Sequence, residues 1–504
     1  MKMPGLFERA IDSETYKGGV SVDTRLFLAG KFTEGAKREA IDLYDPARGT
    51  FIAKASIASV EDVDAAVDAA HAALQTSWGT NVSAPARAKL LFRLADLVEQ
   101  RTDELAALET LNSGRNFLQA QGHDIPDVAA NLRYYAGWAD KHHGQTIETE
   151  DGRLAYTRHE PIGVCGLIVP WNFPLLLTIW KVAPALATGN CIVLKPSELT
   201  PLTALKFAAL TQTAGFPPGV INVLPGYGAT VGHALTAHMR IAKVSFTGST
   251  AVGRAVMEAA ARSNLKRVTL ELGGKSPTIV FPDADLADAV PQIVTSLFVH
   301  SGQACVAGTR IYIHERIYDT LVPLLVRAAH AFALGDGFDP HAMAGPLISQ
   351  AQLDRVLGYI EAGKAAGATL LAGGARADRA GYFVQPTLFA DVPAGASIAT
   401  DEIFGPVGVL AKFRTESEVL AMANDSAYGL TAHVFTASVD TALRVARALH
   451  AGSAFVNMFS LLCPQVPFGG TKASGFGRQL GQAALDEYTV LKAVHIRVRA
   501  AQDA

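Results

Sequence analysis

The chain has 504 residues, 49% hydrophobic and 18% charged, with a formal net charge of −3 at pH 7. That length exceeds what one core accommodates, so two or three domains are expected, and the apolar content excludes a disordered chain. The near-neutral charge supplies no footprint for nucleic acid, and no run of about 18 apolar residues indicates a membrane span.

The segment 1–20 mixes Lys, Glu, Arg and Asp without the apolar core of a secretory signal, so a cytoplasmic protein is expected. From Ser59 the run Ser59-Val60-Glu61-Asp62, followed by an Ala-rich 3.6-residue period through Ala73, predicts an N-capped amphipathic helix. A second helical stretch is predicted from Ala84 to Leu111. From Gly163, short apolar runs at 164–169, 191–194, 221–224, 243–246 and 268–272 alternate with helical ones. Alternation of this kind predicts an α/β fold with a parallel sheet and crossover helices. A second alternating series runs from Thr278 to Val456, and Cys305 near its start is expected in an interdomain cleft.

Familiar phosphate-binding motifs fail. In Gly226-Tyr227-Gly228-Ala229-Thr230-Val231-Gly232 the third glycine comes one residue late for a dinucleotide fingerprint, and Gly273-Gly274-Lys275-Ser276 lacks the first P-loop glycine because position 269 is Thr269. Cys165, Cys191, Cys305 and Cys463 form no Cys-x-x-Cys pair, so free thiols and no metal site are expected.

Other segments carry chemistry. Phe246-Thr247-Gly248-Ser249 ends a strand and opens a helix whose first N–H groups suit a phosphate, although a plain turn explains it equally. Pro170-Trp171-Asn172-Phe173-Pro174 presents one amide between prolines, and Lys195-Pro196-Ser197-Glu198 puts a carboxylate after a strand end, where it suits ribose hydroxyls. Glu271 stands in the apolar run Leu270-Glu271-Leu272, where burial raises an acid toward the range of a useful base. Cys305, in the small-residue run Ser301-Gly302-Gln303-Ala304-Cys305-Val306-Ala307-Gly308, reads alone as an inert core thiol. In a nest of N–H groups it has the lowered pKa of a nucleophile.

These segments, with Glu402-Ile403-Phe404-Gly405-Pro406 and Pro467-Phe468-Gly469-Gly470, resemble the aldehyde dehydrogenase superfamily in order and approximate spacing over nearly the whole chain. The resemblance implies a modified Rossmann dinucleotide-binding domain (1–143 and 161–273), an α/β catalytic domain (274–475) and a small β oligomerisation element (144–160 and 486–504). It implies Cys305 as nucleophile, Glu271 as general base and Asn172, with the Cys305 N–H, as oxyanion donors. Lys195 and Glu198 would hold the adenosine ribose, Ser249 the pyrophosphate, and Glu402 and Phe404 the nicotinamide ribose and ring. Further cofactor contacts are implied at Ile168, Pro170, Trp171, Ser197, Gly228, Phe246, Gly248 and Leu272. NAD is the expected cofactor, since Glu198 repels a 2′-phosphate, with NADP use left possible by Lys195.

The resemblance places Phe173, Leu177, Trp180, Leu462 and Phe468 in a substrate tunnel, with Leu176, Phe298 and Phe459. It implies a medium-sized hydrophobic or aromatic aldehyde. Asp124 and Asp127 lie where some relatives that oxidise amino-aldehydes carry entrance acids, while a helix N-terminus explains both without a ligand. Gln479 replaces an acid common in the family, which is expected to slow deacylation or to shift reliance onto Glu271 alone. A coenzyme-A-acylating enzyme would lack a base such as Glu271, and a non-catalytic structural protein would need none of the three catalytic side chains. The chain is expected to form a homodimer or homotetramer.

Overall fold

The computed structural model describes residues 3–498; the parts of the predicted domains at 1–2 and 499–504 lie outside the described residues. The first sheet has eight strands in the order Gly475–Phe476, Arg267–Glu271, Lys243–Thr247, Val164–Ile168, Cys191–Lys195, Ile221–Val223, Leu26–Leu28 and Lys31–Thr33. From Arg267–Glu271 to Ile221–Val223 the pairing is parallel, with antiparallel strands at both edges. Val164–Ile168, Cys191–Lys195 and Lys243–Thr247 are buried at every position, which is why they read as short continuous runs and not as alternating strands. The helices Pro174–Ala187, Leu202–Ala214 and Thr250–Arg262 connect them.

The second sheet has seven strands, ordered Thr369–Ala372, Thr387–Ala390, Val407–Phe413, Arg310–His314, Pro277–Val280, Thr431–Phe435 and Ser453–Val456. A third sheet pairs Thr489–Ile496 antiparallel with Leu154–Pro161, which pairs in turn with Thr146–Ile147.

Local chemistry accounts for the helix ends. Ser59 accepts from the Asp62 amide at 3.4 Å, while the Asp62 carboxylate accepts from the Ser59 N–H at 2.8 Å, a reciprocal cap for Val60–Thr76. The single helix predicted over 84–111 is two, Ala84–Glu99 and Thr102–Ser113, because Arg101 leaves helical geometry at φ −118°, ψ 20°. Strands within residues 6–57 have no counterpart in the sequence expectations; several are short, and they pair mostly within the segment. Phe298, expected in the substrate tunnel, instead packs with its ring centroid 5.6 Å from that of Phe332 in the core of the second sheet.

Candidate active site

Parallel pairing aligns the ends of four strands. Lys195 lies in register with Ile168, Ile168 with Phe246, and Thr247 with Glu271. The segments that follow, bearing Asn172, Glu198, Ser249 and Leu272, therefore leave the same carboxyl edge of the sheet, where open α/β sheets bind ligands.

Asn172 precedes the helix Pro174–Ala187, whose first position is Pro174. Its side chain is buried, Nδ2 donates to the Gln303 carbonyl at 2.9 Å, and Oδ1 has no partner. One N–H of that amide thus fixes its direction, leaving the second free to donate.

The segment before Cys305 is tightly held. His300, Ser301 and Gly302 are consecutively left-handed, at φ 51°, 54° and 70°. A Cβ at Gly302 would come within 2.3 Å of the Gly405 carbonyl oxygen, so that position requires glycine. The buried Gln303 side chain donates to the carbonyls of His300 at 3.0 Å and Pro346 at 3.2 Å and accepts from the Ile348 N–H at 2.9 Å.

Cys305 itself is a half-buried free thiol. Burial pushes its pKa up, and the carboxylates of Glu271 and Glu402 push it further; the N–H groups of Cys305 and Val306 act the other way and lose. The lowered pKa expected from the small-residue nest is therefore corrected: the resting thiol is neutral and needs a base.

Glu271, the last residue of its strand, is buried and its Oε1 has no partner. Burial raises its pKa well above the carboxylate range, opposed by the positive charges of Lys181 and Arg478. Lys181 escaped the sequence reading, although a lysine inside the apolar helix Pro174–Ala187 was the available signal. It is fully buried, its Nζ donates to Thr247 Oγ1 at 2.7 Å, and burial lowers its pKa against the pull of Glu271.

The expected cofactor residues fit a dinucleotide. Lys195 Nζ donates to Glu198 Oε2 at 3.1 Å, so this carboxylate already sits beside a cation. Ser249 caps the helix Thr250–Arg262 by accepting from the Val252 N–H at 3.4 Å, which leaves its own O–H free to donate. Gly228 opens a π-helical turn with no atom within 4 Å of where a Cβ would stand. From the other sheet's side, Glu402 accepts from the Gly274 N–H at 3.1 Å, and a Cβ on Gly273 would meet its carboxylate at 2.0 Å. Phe404, left-handed at φ 58°, lies edge-on to Trp171 with ring centroids 5.2 Å apart. Ile168, Pro170, Ser197, Phe246, Gly248 and Leu272 belong to the same strand ends and turns.

Beside the thiol, Leu177, Trp180, Leu430, Phe468 and Leu480 form a buried cluster against which Phe173, Leu176, Val306, Leu462 and Cys305 pack. Phe173, Leu176, Leu177, Trp180, Leu462 and Phe468 are thus gathered beside the thiol, whereas Phe298 and Phe459 stand outside this cluster, and Trp180 meets Phe468 edge-on at 5.7 Å.

Neither acid at 124–127 caps a helix through its side chain. Asp124 pairs with Arg115 Nε at 2.6 Å and Nη2 at 3.1 Å, and Arg115 in turn lies 5.0 Å from the Phe173 ring centre. Asp127 accepts from Asn131 Nδ2 at 3.1 Å beside the Trp180 indole, and burial lifts it to about 6. Gln479 is buried, its main chain exchanges two 2.7 Å hydrogen bonds with Phe468, and its Oε1 is unpartnered.

Comparison with known proteins agrees with this geometry. The model of the Aldehyde dehydrogenase family matches residues 32–494. An aldehyde dehydrogenase of Agaricus bisporus is 52% identical over 496 residues, covering 98% of this chain and 99% of that protein. The NAD+ complex of a Bacillus cereus aldehyde dehydrogenase superposes with a TM-score of 0.93 at 45% identity, over 94% of this chain and 97% of that one. A P. syringae indole-3-acetaldehyde dehydrogenase has a TM-score of 0.93 at 41% identity, over 95% and 97% of the two chains. A Staphylococcus aureus betaine aldehyde dehydrogenase in complex with NAD+ has a TM-score of 0.93 at 37% identity, over 96% of each.

Proposed function

The chain belongs to the aldehyde dehydrogenase family, and from that premise we propose that it oxidises a medium-sized hydrophobic or aromatic aldehyde to the free carboxylic acid, with NAD as cofactor and a Cys305 thioester as intermediate. The apolar cluster of Leu177, Trp180 and Phe468 against the thiol carries the substrate reading. A P. syringae relative that acts on indole-3-acetaldehyde supports an aromatic one.

Because the thiol is neutral at rest, Glu271 takes its proton as sulfur attacks the aldehyde carbon. The carbonyl oxygen becomes an alkoxide, met by Asn172 Nδ2 and the Cys305 N–H; each such donor is worth about 2.7–4 kcal/mol. Lys195, Glu198, Ser249, Glu402 and Phe404 would hold NAD, which would supply the acceptor for the hydride lost from this carbon. Glu271 passes the thiol proton to solvent and then removes one from water; the hydroxyl adds to the thioester, the C–S bond breaks to release the acid, and the departing thiolate takes the proton back from Glu271. The buried base supports hydrolysis over transfer to coenzyme A, and acyl-CoA exceeding free acid among the products overturns this. The Lys195–Glu198 pair supports a preference for NAD, which equal kcat/KM with NADP would sink.

The first, second and third sheets support a division into dinucleotide-binding, catalytic and oligomerisation units, with Gly475–Phe476, at the end of the expected catalytic span, pairing into the first sheet. Leu154, Val490, Leu491 and Ile496, exposed on the third sheet, support its covering by another subunit in a homodimer or homotetramer.

Asp127 favours a second reading, a cationic amino-aldehyde, since its buried carboxyl stands beside Trp180 in the substrate cluster. NADH formation across aromatic, aliphatic and amino-aldehydes separates the two. The highest kcat/KM is expected for an aromatic or medium aliphatic aldehyde, and the highest value for an amino-aldehyde reverses the order. Cys305→Ala is expected to abolish NADH formation with every aldehyde.

A further inference from the structure

Among the described residues, one cluster of ligating side chains stands apart from Cys305 and takes no part in the proposed reaction. His142 follows the helix Ile125–Trp138, His159 lies in the strand Leu154–Pro161, and Asp486 ends the short helix Ala483–Asp486. One ligand atom from each lies within 4.8 Å of the others. His142 Nε2 stands 3.4 Å from Asp486 Oδ1, with the His142 side chain 8% exposed and that of Asp486 63% exposed. Bonds of about 2.0–2.1 Å to a tetrahedral zinc ion separate neighbouring ligands by about 3.3 Å. The His142–Asp486 separation already matches that spacing.

The imidazole rings are 3.7 Å apart between centroids. Thr489 Oγ1 donates to the Leu485 carbonyl at 3.2 Å and lies 3.1 Å from His159 Nδ1 and 3.4 Å from His142 Nε2. The Thr489 hydroxyl thus steadies the His159 ring through Nδ1, while at His142 it touches Nε2, the same nitrogen that faces Asp486.

We propose that His142, His159 and Asp486 bind one divalent transition-metal ion of the zinc type, with water completing its coordination. The ion ties the third sheet to the end of the helix Ile125–Trp138 and to the turn that launches Thr489–Ile496. Its role is structural, and it contributes nothing to hydride transfer. The exposed Asp486 carboxylate gives it a route in from solvent. Sequence spacing hides the site, because its ligands come from three separate segments and form no compact motif.

The test uses full-length protein whose accessible thiols are blocked with iodoacetamide, so that Cys305 and Cys463 take no metal. Zn2+ is titrated by calorimetry and Co2+ by visible absorption. The expected result is one ion per chain and the intense visible bands of tetrahedral cobalt. In His159→Ala and in Asp486→Asn the Kd should rise at least about tenfold, and zinc should raise the Tm of the parent protein and not of Asp486→Asn. Asp486 is exposed, so its substitution leaves folding intact, which NADH formation by the unblocked variant checks. Absence of stoichiometric binding overturns the proposal, as does equal affinity in parent and variants, which would leave only a hydrogen-bonded His–Asp pair.

Discussion

The side-chain amide of Asn172 donates to the main-chain carbonyl of Gln303 at 2.9 Å, joining the turn after one strand of the first sheet to the loop two residues before the thiol. In the proposed mechanism the donor to the alkoxide is thus aimed by the same loop that carries the nucleophile. Asn172→Ala should lower the single-turnover rate of acylation by about 10²–10³-fold, with little change in Kd for NAD. Asn172→Asp, similar in shape but a poorer donor, should lose nearly as much, and a rate close to the parent's would remove the amide from the reaction.

Glu271 owes its raised pKa first to burial and is held partly down by Lys181. Only its carboxylate form activates water, so kcat should rise with pH above the ordinary carboxylate range. Lys181→Met removes a charge that favours that form, so the inflection should move to higher pH. A shift to lower pH, or none, contradicts the pairing. Glu271→Gln, with no base left, should show slow steady-state turnover and NADH release limited to the first turnover.

Gly302 is left-handed, and a Cβ there would meet the Gly405 carbonyl. Gly302→Ala should cost about 1–3 kcal/mol in urea unfolding and depress kcat, since it displaces the loop bearing Cys305. Unchanged stability would mean that the loop relaxes freely.

Asp127 titrates near 6 because it is buried, so it carries charge above that pH and loses it below. For hydrophobic aldehydes kcat/KM should stay within about twofold in Asp127→Asn and show no step at that pH. For amino-aldehydes it should rise with pH through about 6 in the parent and lose that rise in the variant. The same loss with an aromatic aldehyde would tie Asp127 to the chemistry and not to charge recognition.

The parallel strands of the first sheet were legible because, fully buried or, in Arg267–Glu271, buried from Thr269 onward, they read as short apolar runs between helical ones, and strand ends such as Lys195 and Glu271 fell at or beside their observed positions. The site was legible only through its motifs taken together. Local sequence failed where distant partners decide. The resting state of Cys305 is set first by its burial and then by the carboxylates of Glu271 and Glu402. Asp124 is claimed by Arg115 instead of a helix end, and Phe298 by Phe332. Lys181 was hidden by its apolar helix, and its significance appears only once Thr247 and Glu271 are brought beside it.

The first sheet takes its outer strand from Gly475–Phe476, paired to Arg267–Glu271, and the third sheet waits for Thr489–Ile496. A ribosome therefore delivers the strand bearing the base some two hundred residues before the segment that covers its edge. Through that interval the growing chain holds an unpaired backbone edge, open to pairing with its neighbours on the same message. Chains broken off before residue 475 should accumulate as aggregates, which makes the segment 475–496 a condition of soluble synthesis.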